Sequence, residues 1–388
     1  MKNVFSFLLV NLEKKNFYLM ILLFASLPFS ESLKEISIFL ASLVFLIQLW
    51  RREQILKLTL THYGFFLLVL AATLTTLSAE NPRRSLDGLN DILFFTAPFF
   101  VAQSIPPKEK NIRILFWILS STTTLAALIY IGKSLYLNRP LEIPSLGNQN
   151  YTAMFLIIVV TTLISLLLFS TQKSKITSVI LACFIFILII AGVMTVMRTS
   201  FLALGIYLLI LLWHFRNHRW IRLFFIIVCS ILLLAIFFVE PMRNKIFIIS
   251  SLYARFELWK HAIQLFLENP VWGVGLNHFS FTFPKNFFVD AGASYFDAHS
   301  LYFQTLSQMG LLGLVAIFLI IYGFLKHWLK IRPILGIDLV KKYAALGAFC
   351  VIFMGGIFDH TLHHGQAIAF SILAGFLFGY PAQEENEK

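Results

Sequence analysis

The sequence predicts an all-α polytopic integral membrane protein with about 12 transmembrane helices and one long loop on the periplasmic or exterior side that contains an amphipathic helix. Three observations predict it. Hydrophobic residues make up 59% of the 388 residues and charged residues only 13%. The mean hydropathy is +0.81, and apolar runs recur along almost the whole chain. These features exclude an ordinary soluble globular domain.

Twelve apolar segments are interpreted as membrane spans. In chain order they are approximately 16–30, 36–50, 62–78, 89–103, 112–136, 150–170, 176–196, 200–215, 220–240, 301–328, 340–359 and 367–380. Since a transmembrane helix needs about 20 mostly apolar residues, the shorter segments predict tilted or buried helices. The chain over 1–388 is therefore predicted to be a single transmembrane domain, in which the loop 241–300 lies between predicted helices 9 and 10.

The basic residues predict the orientation of these spans. The net charge is +12, and Lys and Arg concentrate in alternate loops, as the positive-inside rule requires of cytoplasmic segments. Both termini are then cytoplasmic, and the loop 241–300 lies outside. The basic balance therefore indicates topology and not a nucleic-acid partner.

The loop 241–300 is much longer than ordinary connections, which favours a functional role. Within it, apolar residues recur at three- and four-residue spacing, which predicts an amphipathic helix at the membrane interface. These residues are Leu252, Phe256, Trp259, Ile263 and Phe266. Arg255 lies on another face of this helix, where it either contacts solvent and lipid headgroups or binds an anion.

Arg198 lies in the stretch VMRTSFLALG between two apolar spans on the external side. A positive charge beside hydrocarbon is costly, so this arginine is predicted to face a polar cavity or to bind an anionic group. A guanidinium suits phosphate because its planar donors contact two oxygens at once. The alternative is that Arg198 has no binding role and simply lies in the tight loop between two spans.

His299 stands with Asp297 and Ser300 immediately before the apolar run that begins at Leu301. The start of a helix disfavours a cation, so we expect the imidazole to favour its neutral, proton-accepting form, with Asp297 opposing that bias or orienting the ring. Such an imidazole can deprotonate a sugar hydroxyl as a general base. The alternative is a histidine that caps the helix or binds headgroups.

Two more polar stretches lie on the external side. In FDHTLHHGQ, over 358–366, His360 and His364 would share one face of a continuing helix, a possible metal-ligand spacing, although cavity-lining histidines are the favoured interpretation and no metal is predicted. In ENPRRSL, Arg83 and Arg84 either contact phosphates or are solvated in a loop.

Four stretches together resemble one protein family over about 150–380. ARFELWKHAIQLFLENPVWGVGLNHF and AHSLYFQTLSQMGLLGL, with VMRTSFLALG and GNQNYTAMFL, are similar to motifs of the bacterial O-antigen ligase, O-antigen polymerase and protein O-oligosaccharyltransferase family. That family commonly has His-Asn where this chain has His299 and Ser300, so a contact specific to an amide is in question there.

The resemblance implies a metal-independent glycosyltransferase without cofactors in the bacterial inner membrane. It would transfer a glycan from undecaprenyl diphosphate to an acceptor hydroxyl on the periplasmic side. The protein itself would be in contact with membrane lipids. Arg198 and Arg255 would bind the donor diphosphate, and His299 would activate the acceptor. Supporting roles are expected for Asp297, Ser300, Arg83, Arg84, Asn148, Asn150 and His360.

Among these relatives we favour an O-antigen ligase that acts on lipid A-core in lipopolysaccharide biosynthesis, because the chain is compact. An O-antigen polymerase or a protein O-oligosaccharyltransferase would use the same donor and differ in the acceptor. A lipid or solute transporter is a more distant alternative, and the repeated halves with interrupted helices that many transporters show are not evident in the sequence.

Overall fold

The computed structural model describes residues 11–106, 108–171, 174–216, 249–282, 297–332 and 336–379, together with 222, 223, 226 and 230. The described residues contain α-helices and no strand. In chain order the helices are α1 Leu12–Ser26, α2 Glu31–Trp50, α3 Leu60–Ser78, α4 Pro82–Gln103, α5 Glu109–Leu137, α6 Gln149–Phe169, α7 Lys175–Met194, α8 Arg198–His214, α9 Ile249–Glu268, α10 Leu301–Lys330, α11 Ile337–Phe349 and α12 His364–Phe378.

The helical class predicted from the sequence is confirmed for the described chain. Within the described residues, six helices are long and apolar enough to cross a membrane, namely α2, α3, α5, α6, α7 and α10, while α8 and α12 are apolar but shorter. The other predicted spans also coincide with helices, except that the span predicted over 220–240 lies outside the described residues apart from 222, 223, 226 and 230. The total of twelve spans therefore stays a prediction.

Helix α6 forms the centre of the bundle. Its most apolar window is 89% buried within the protein, and it packs against α7, α11 and α12. A helix that is apolar on every side is stable only when other helices or lipid surround it. Elsewhere α3 packs along α10, and a Cβ at Gly323 of α10 would lie 2.5 Å from the backbone nitrogen of Thr61, so a small residue is needed for this close approach.

Helix α10 is interrupted at Gly310, and the segment after α9 fills the interruption. Gly310 has φ 61° and ψ −155°, a conformation that favours glycine. The backbone amides of Val274 and Gly275 donate to the carbonyls of Ser307 (2.9 Å) and Gln308 (3.1 Å). These bonds satisfy backbone groups that the break would leave without partners. They also fix the end of this segment against α10.

Helix α9 coincides with the helix predicted from the spacing of apolar residues, and the structure shows which of its side chains are buried. Leu258, Ala262 and Leu265 are at most 5% exposed, whereas Phe256 is 61% exposed and Ile263 is 42% exposed. The three- and four-residue spacing identified the helix correctly. It could not distinguish the side that meets the protein from the side that is free for lipid.

Candidate functional site

The candidate site lies where the beginning of α10 meets the connection between α11 and α12. The backbone amide of Leu301, at the first position of α10, donates to the carbonyl of Asp359 at 3.0 Å. Asp359 is only 2% exposed. This bond satisfies one of the free amides at the start of a helix, and it brings two segments that are far apart in sequence into contact.

His299 lies between two carboxylates. Its Nδ1 is 3.5 Å from Oδ1 of Asp297 and 3.5 Å from Oδ1 of Asp359. The backbone amide of His299 donates to the same Asp297 oxygen at 2.7 Å, and the residue has φ 44°. A left-handed backbone is uncommon for histidine and marks a position that its surroundings hold in place.

Asp359 is held by donors on both carboxylate oxygens. Oδ2 accepts from Nδ2 of Asn150 at 2.6 Å, and Oδ1 accepts from the backbone amide of His360 at 2.9 Å. The side chain of Asn148 accepts from the amides of Asn150 and Tyr151 and so caps α6. The predicted residues Asn148 and Asn150 thus have different roles. Asn148 caps α6, and Asn150 contacts the buried carboxylate.

The electrostatics at His299 oppose the bias toward the neutral form that its position before a helix predicts. Burial by itself lowers the pKa of His299, but the hydrogen bond to Asp359 and the negative charges of Asp297 and Asp359 outweigh it, so the pKa is raised above its ordinary value. The helix-dipole argument omitted Asp359, which the fold brings to the ring. The proton is bound more tightly at this imidazole than in water, which makes the neutral form a stronger base.

Helix α9 brings Arg255 to the same region. Nε1 of Trp259 donates to the carbonyl of Ala298 at 3.1 Å, and its ring stacks on Phe303 with 5.1 Å between centroids. These contacts fix α9 against the beginning of α10. Arg255 lies one turn earlier on α9, and its positive charge acts on both His299 and Arg198.

Arg198 is the first residue of α8, so its positive charge adds to the positive end of that helix dipole. It and Arg255 repel one another. Two guanidinium groups and a helix start therefore contribute positive charge that Arg255 extends to His299. An anionic ligand there would relieve the repulsion between them.

The contacts of two neighbouring residues follow from the fold. Ser300 occupies the N-cap position of α10 but makes no cap hydrogen bond, because its hydroxyl donates instead to the carbonyl of Gly356 at 3.4 Å. His360 and His364 do not share a helical face, because the helical turns after α11 end at Ile357 and α12 begins only at His364. Burial lowers the pKa of His360 to about 4, so this ring is a neutral lining group.

The sequence did not reveal two sets of contacts. The pairing of Asp359 with His299 was not anticipated, although the polar stretch 358–366 was the available signal. That stretch also contacts the first helices: Nε2 of His363 lies 3.3 Å from Oδ2 of Asp91, and Nδ1 of His364 lies 3.5 Å from Oε1 of Glu31. Isolated acidic residues in α2 and α4 gave no sign of these partners.

Arg83 and Arg84 lie apart from His299 and the first two arginines. They line a separate cavity at the beginning of α4 together with His278. The structure therefore brings together Arg198, Arg255, His299, Asp297 and Asn150, and it does not bring the other arginine pair to them.

The donor atoms of Asp297, His299 and Asp359 lie within 4.8 Å of one another and could hold a divalent cation. Two carboxylates and an imidazole are suitable ligands for such an ion. The positive charge of Arg255 acts against a cation at this position. Without an ion, the same three groups form a histidine oriented by carboxylates, which is an arrangement for general base catalysis.

A family model described as O-antigen ligase matches residues 181–318 of the chain. The match includes α8, α9 and the first part of α10, and hence Arg198, Arg255 and His299. No curated protein sequence matches the chain significantly.

Proposed function

Since a family model described as O-antigen ligase matches residues 181–318, we propose that this membrane protein is an O-antigen ligase. It would transfer O-antigen polysaccharide from undecaprenyl diphosphate to a sugar hydroxyl of lipid A-core, at the periplasmic face of the inner membrane. An O-antigen polymerase has the same donor and the same chemistry, and it is the nearest alternative.

One observation carries the proposal: a histidine held by two carboxylates lies beside two arginines whose positive charges act on one another. Nδ1 of His299 is 3.5 Å from each carboxylate, and in the proposed mechanism Nε2 takes a proton from the acceptor. The hydroxyl oxygen then attacks the anomeric carbon of the donor. The bond from that carbon to the diphosphate oxygen breaks, and the diphosphate leaves with the electron pair.

Arg198 and Arg255 fit the role of the donor diphosphate site. Charge develops on the diphosphate as it leaves, and fixed cations stabilise that charge without reorganising. The start of α8 contributes in the same sense, because helix N-termini bind phosphate groups. A lipid-linked donor would place its charged group at the level where α8 begins.

A small cavity near the α11–α12 connection offers polar groups to the acceptor. Its lining includes Asn277, Gln304, His360, His363 and Asp91 beside several apolar residues. Amide, imidazole and carboxylate groups can bind sugar hydroxyls as donors and acceptors. His360 lines this cavity and follows Asp359 in the chain, so the cavity lies near the proposed catalytic centre.

Variants of the centre test the chemistry. We expect His299→Ala and Arg198→Ala each to reduce transfer by the purified protein about 100- to 1,000-fold, and the exposed Lys260→Ala on α9 to transfer normally. Membrane insertion and detergent-solubilised folding of each variant are measured alongside. Full transfer by correctly inserted His299→Ala and Arg198→Ala proteins would refute the proposed site.

The acceptor is tested in a strain that lacks the gene, by lipopolysaccharide gel profile and by analysis of undecaprenyl-linked glycans. Bare core with long glycan retained on the carrier supports the ligase. Core with a single repeat indicates the polymerase. An unchanged ladder contradicts both and favours protein glycosylation or transport.

A further inference from the structure

A second basic cavity lies at the beginning of α4, away from Arg198, Arg255 and His299. Its lining includes Glu80, Asn81, Arg83, Arg84, His278 and Phe281. Arg83 and Arg84 are in the first turn of α4, where the positive end of the helix dipole disfavours further positive charge. Among the described residues, no carboxylate lies within ion-pair distance of either arginine, although Glu80 lines the cavity and Asp87 follows in the next turn.

Arg84 is held in place by an aromatic ring. Its guanidinium carbon lies 3.4 Å from the centroid of the Phe281 ring. A guanidinium stacked in this way keeps the donors at its edge free for planar, two-point contact with a phosphate or carboxylate. The stacking also lowers the entropy that the side chain would lose on binding.

His278 provides an independent sign of a ligand. It is only 6% exposed, and its Nε2 is buried without a hydrogen-bond partner among the described residues. Its Nδ1 is 2.8 Å from the carbonyl of Leu276, so this nitrogen donates to the carbonyl, and Nε2 is the ring nitrogen that can accept a hydrogen bond. A buried acceptor of this kind is costly unless something donates to it.

The position of His278 is fixed by the same turn that meets α10. Gly275 has φ 109°, and a Cβ there would lie 2.9 Å from Nδ1 of His278. The hydroxyl of Ser85 on α4 donates to the carbonyl of Leu276 at 3.0 Å. The imidazole is therefore held between this turn and the first turns of α4, next to the two arginines.

We propose that Arg83, Arg84 and His278 form a binding site for a phosphate group that has a neighbouring hydroxyl, as in a phosphorylated sugar. The arginines contact the phosphate oxygens, and the hydroxyl donates to Nε2 of His278. Asn277, which immediately precedes His278, lines the small cavity near the proposed catalytic centre. If the proposed function holds, this site binds the phosphorylated part of the acceptor glycolipid while another of its hydroxyls reaches that centre.

Binding is measured first, without turnover, so that the result does not depend on the proposed function. The purified protein is titrated with glucosamine 6-phosphate, glucosamine and inorganic phosphate, and in separate lipid nanodiscs with phosphatidylglycerol. We expect glucosamine 6-phosphate to bind best. The double variant Arg83→Gln/Arg84→Gln should weaken it about 10- to 100-fold, whereas the exposed control Lys260→Gln should not change it.

His278→Gln separates the hydroxyl contact from the phosphate contact. We expect it to remove about a 3- to 10-fold preference for glucosamine 6-phosphate over inorganic phosphate, the effect of one hydrogen bond. Unchanged binding by the double arginine variant would overturn the site. Arginine-dependent binding of phosphatidylglycerol alone would overturn the phosphorylated sugar as the ligand and assign the phosphate to a lipid headgroup.

Transfer is then compared between a phosphorylated acceptor and the same acceptor after phosphatase treatment. We expect the double variant to raise KM for the phosphorylated acceptor and to leave the dephosphorylated one unchanged. If the wild-type protein transfers nothing to either acceptor, the proposed function fails, and the binding result still stands. Equal KM for both acceptors in the wild-type protein overturns the role in acceptor binding.

Discussion

Replacing Asp359 with asparagine removes one negative charge beside His299 and leaves the size of the side chain almost unchanged. The carboxylate accepts hydrogen bonds from Asn150 and from the backbone of His360, and it faces Nδ1 of His299. An amide has one acceptor oxygen and a donor group, so Asp359→Asn cannot satisfy all three donors. We expect a protein that inserts normally and transfers glycan slowly.

The magnitude follows from the two hydrogen bonds that this substitution weakens. A hydrogen bond to a charged group contributes about 1.5–3 kcal/mol. The distance of 3.5 Å between Nδ1 of His299 and Oδ1 of Asp359 is longer than that of a usual hydrogen bond. The contribution of this bond is therefore at or below the lower end of that energy range. Misorientation after loss of the 2.6 Å bond from Asn150 adds a similar amount. Together they predict a fall in kcat/KM of about 10- to 100-fold.

The pH dependence has a definite sign. In the proposed mechanism the neutral form of His299 accepts the proton, so we expect transfer to increase as the pH rises through the raised pKa of this residue. Without the Asp359 charge that pKa falls, and the acidic limb of the profile moves to lower pH. The assay is kcat/KM for transfer by the purified protein, from about pH 5 to about pH 9.

The exchanged pair Asn150→Asp with Asp359→Asn separates geometry from charge. The amide at 359 can then donate to the carboxylate at 150 and accept from His299. The hydrogen-bond chain is therefore kept, while the negative charge moves from position 359 to position 150, one hydrogen bond further from His299. We expect its rate to lie between those of Asp359→Asn and the wild-type protein. A wild-type rate and an unshifted acidic limb in Asp359→Asn would refute the reasoning.

Two further outcomes are expected. Gly310→Ala should lower the thermal midpoint of unfolding in detergent, because it adds backbone strain of about 1–3 kcal/mol at a positive φ and its Cβ would lie 2.4 Å from the carbonyl oxygen of Val271. The control is Gly132→Ala, whose Cβ would have no neighbouring atom within 4 Å. Equal midpoints for the two variants would contradict this account. Dialysis against EDTA should leave transfer unchanged. Loss of activity that a divalent cation restores would instead assign a metal to Asp297, His299 and Asp359.

Several features were predictable because they depend on local periodicity and composition. Apolar runs predicted helices over most of the described chain, and the spacing in the long loop predicted α9. The position of Arg198 beside hydrocarbon predicted an anion-binding role, which the electropositive region formed with Arg255 supports and the variants will test. His299 was identified from its place in front of an apolar run.

The sequence by itself determined that this is a helical membrane protein, and it identified the residue types available for chemistry. Only the tertiary structure decided which charges meet: Asp359 approaches His299 from a distant part of the chain and raises its pKa, and His278 joins Arg83 and Arg84. The physical reason is that helix formation depends on neighbours in sequence, whereas the electrostatics of a site depend on distances between segments that only packing brings together.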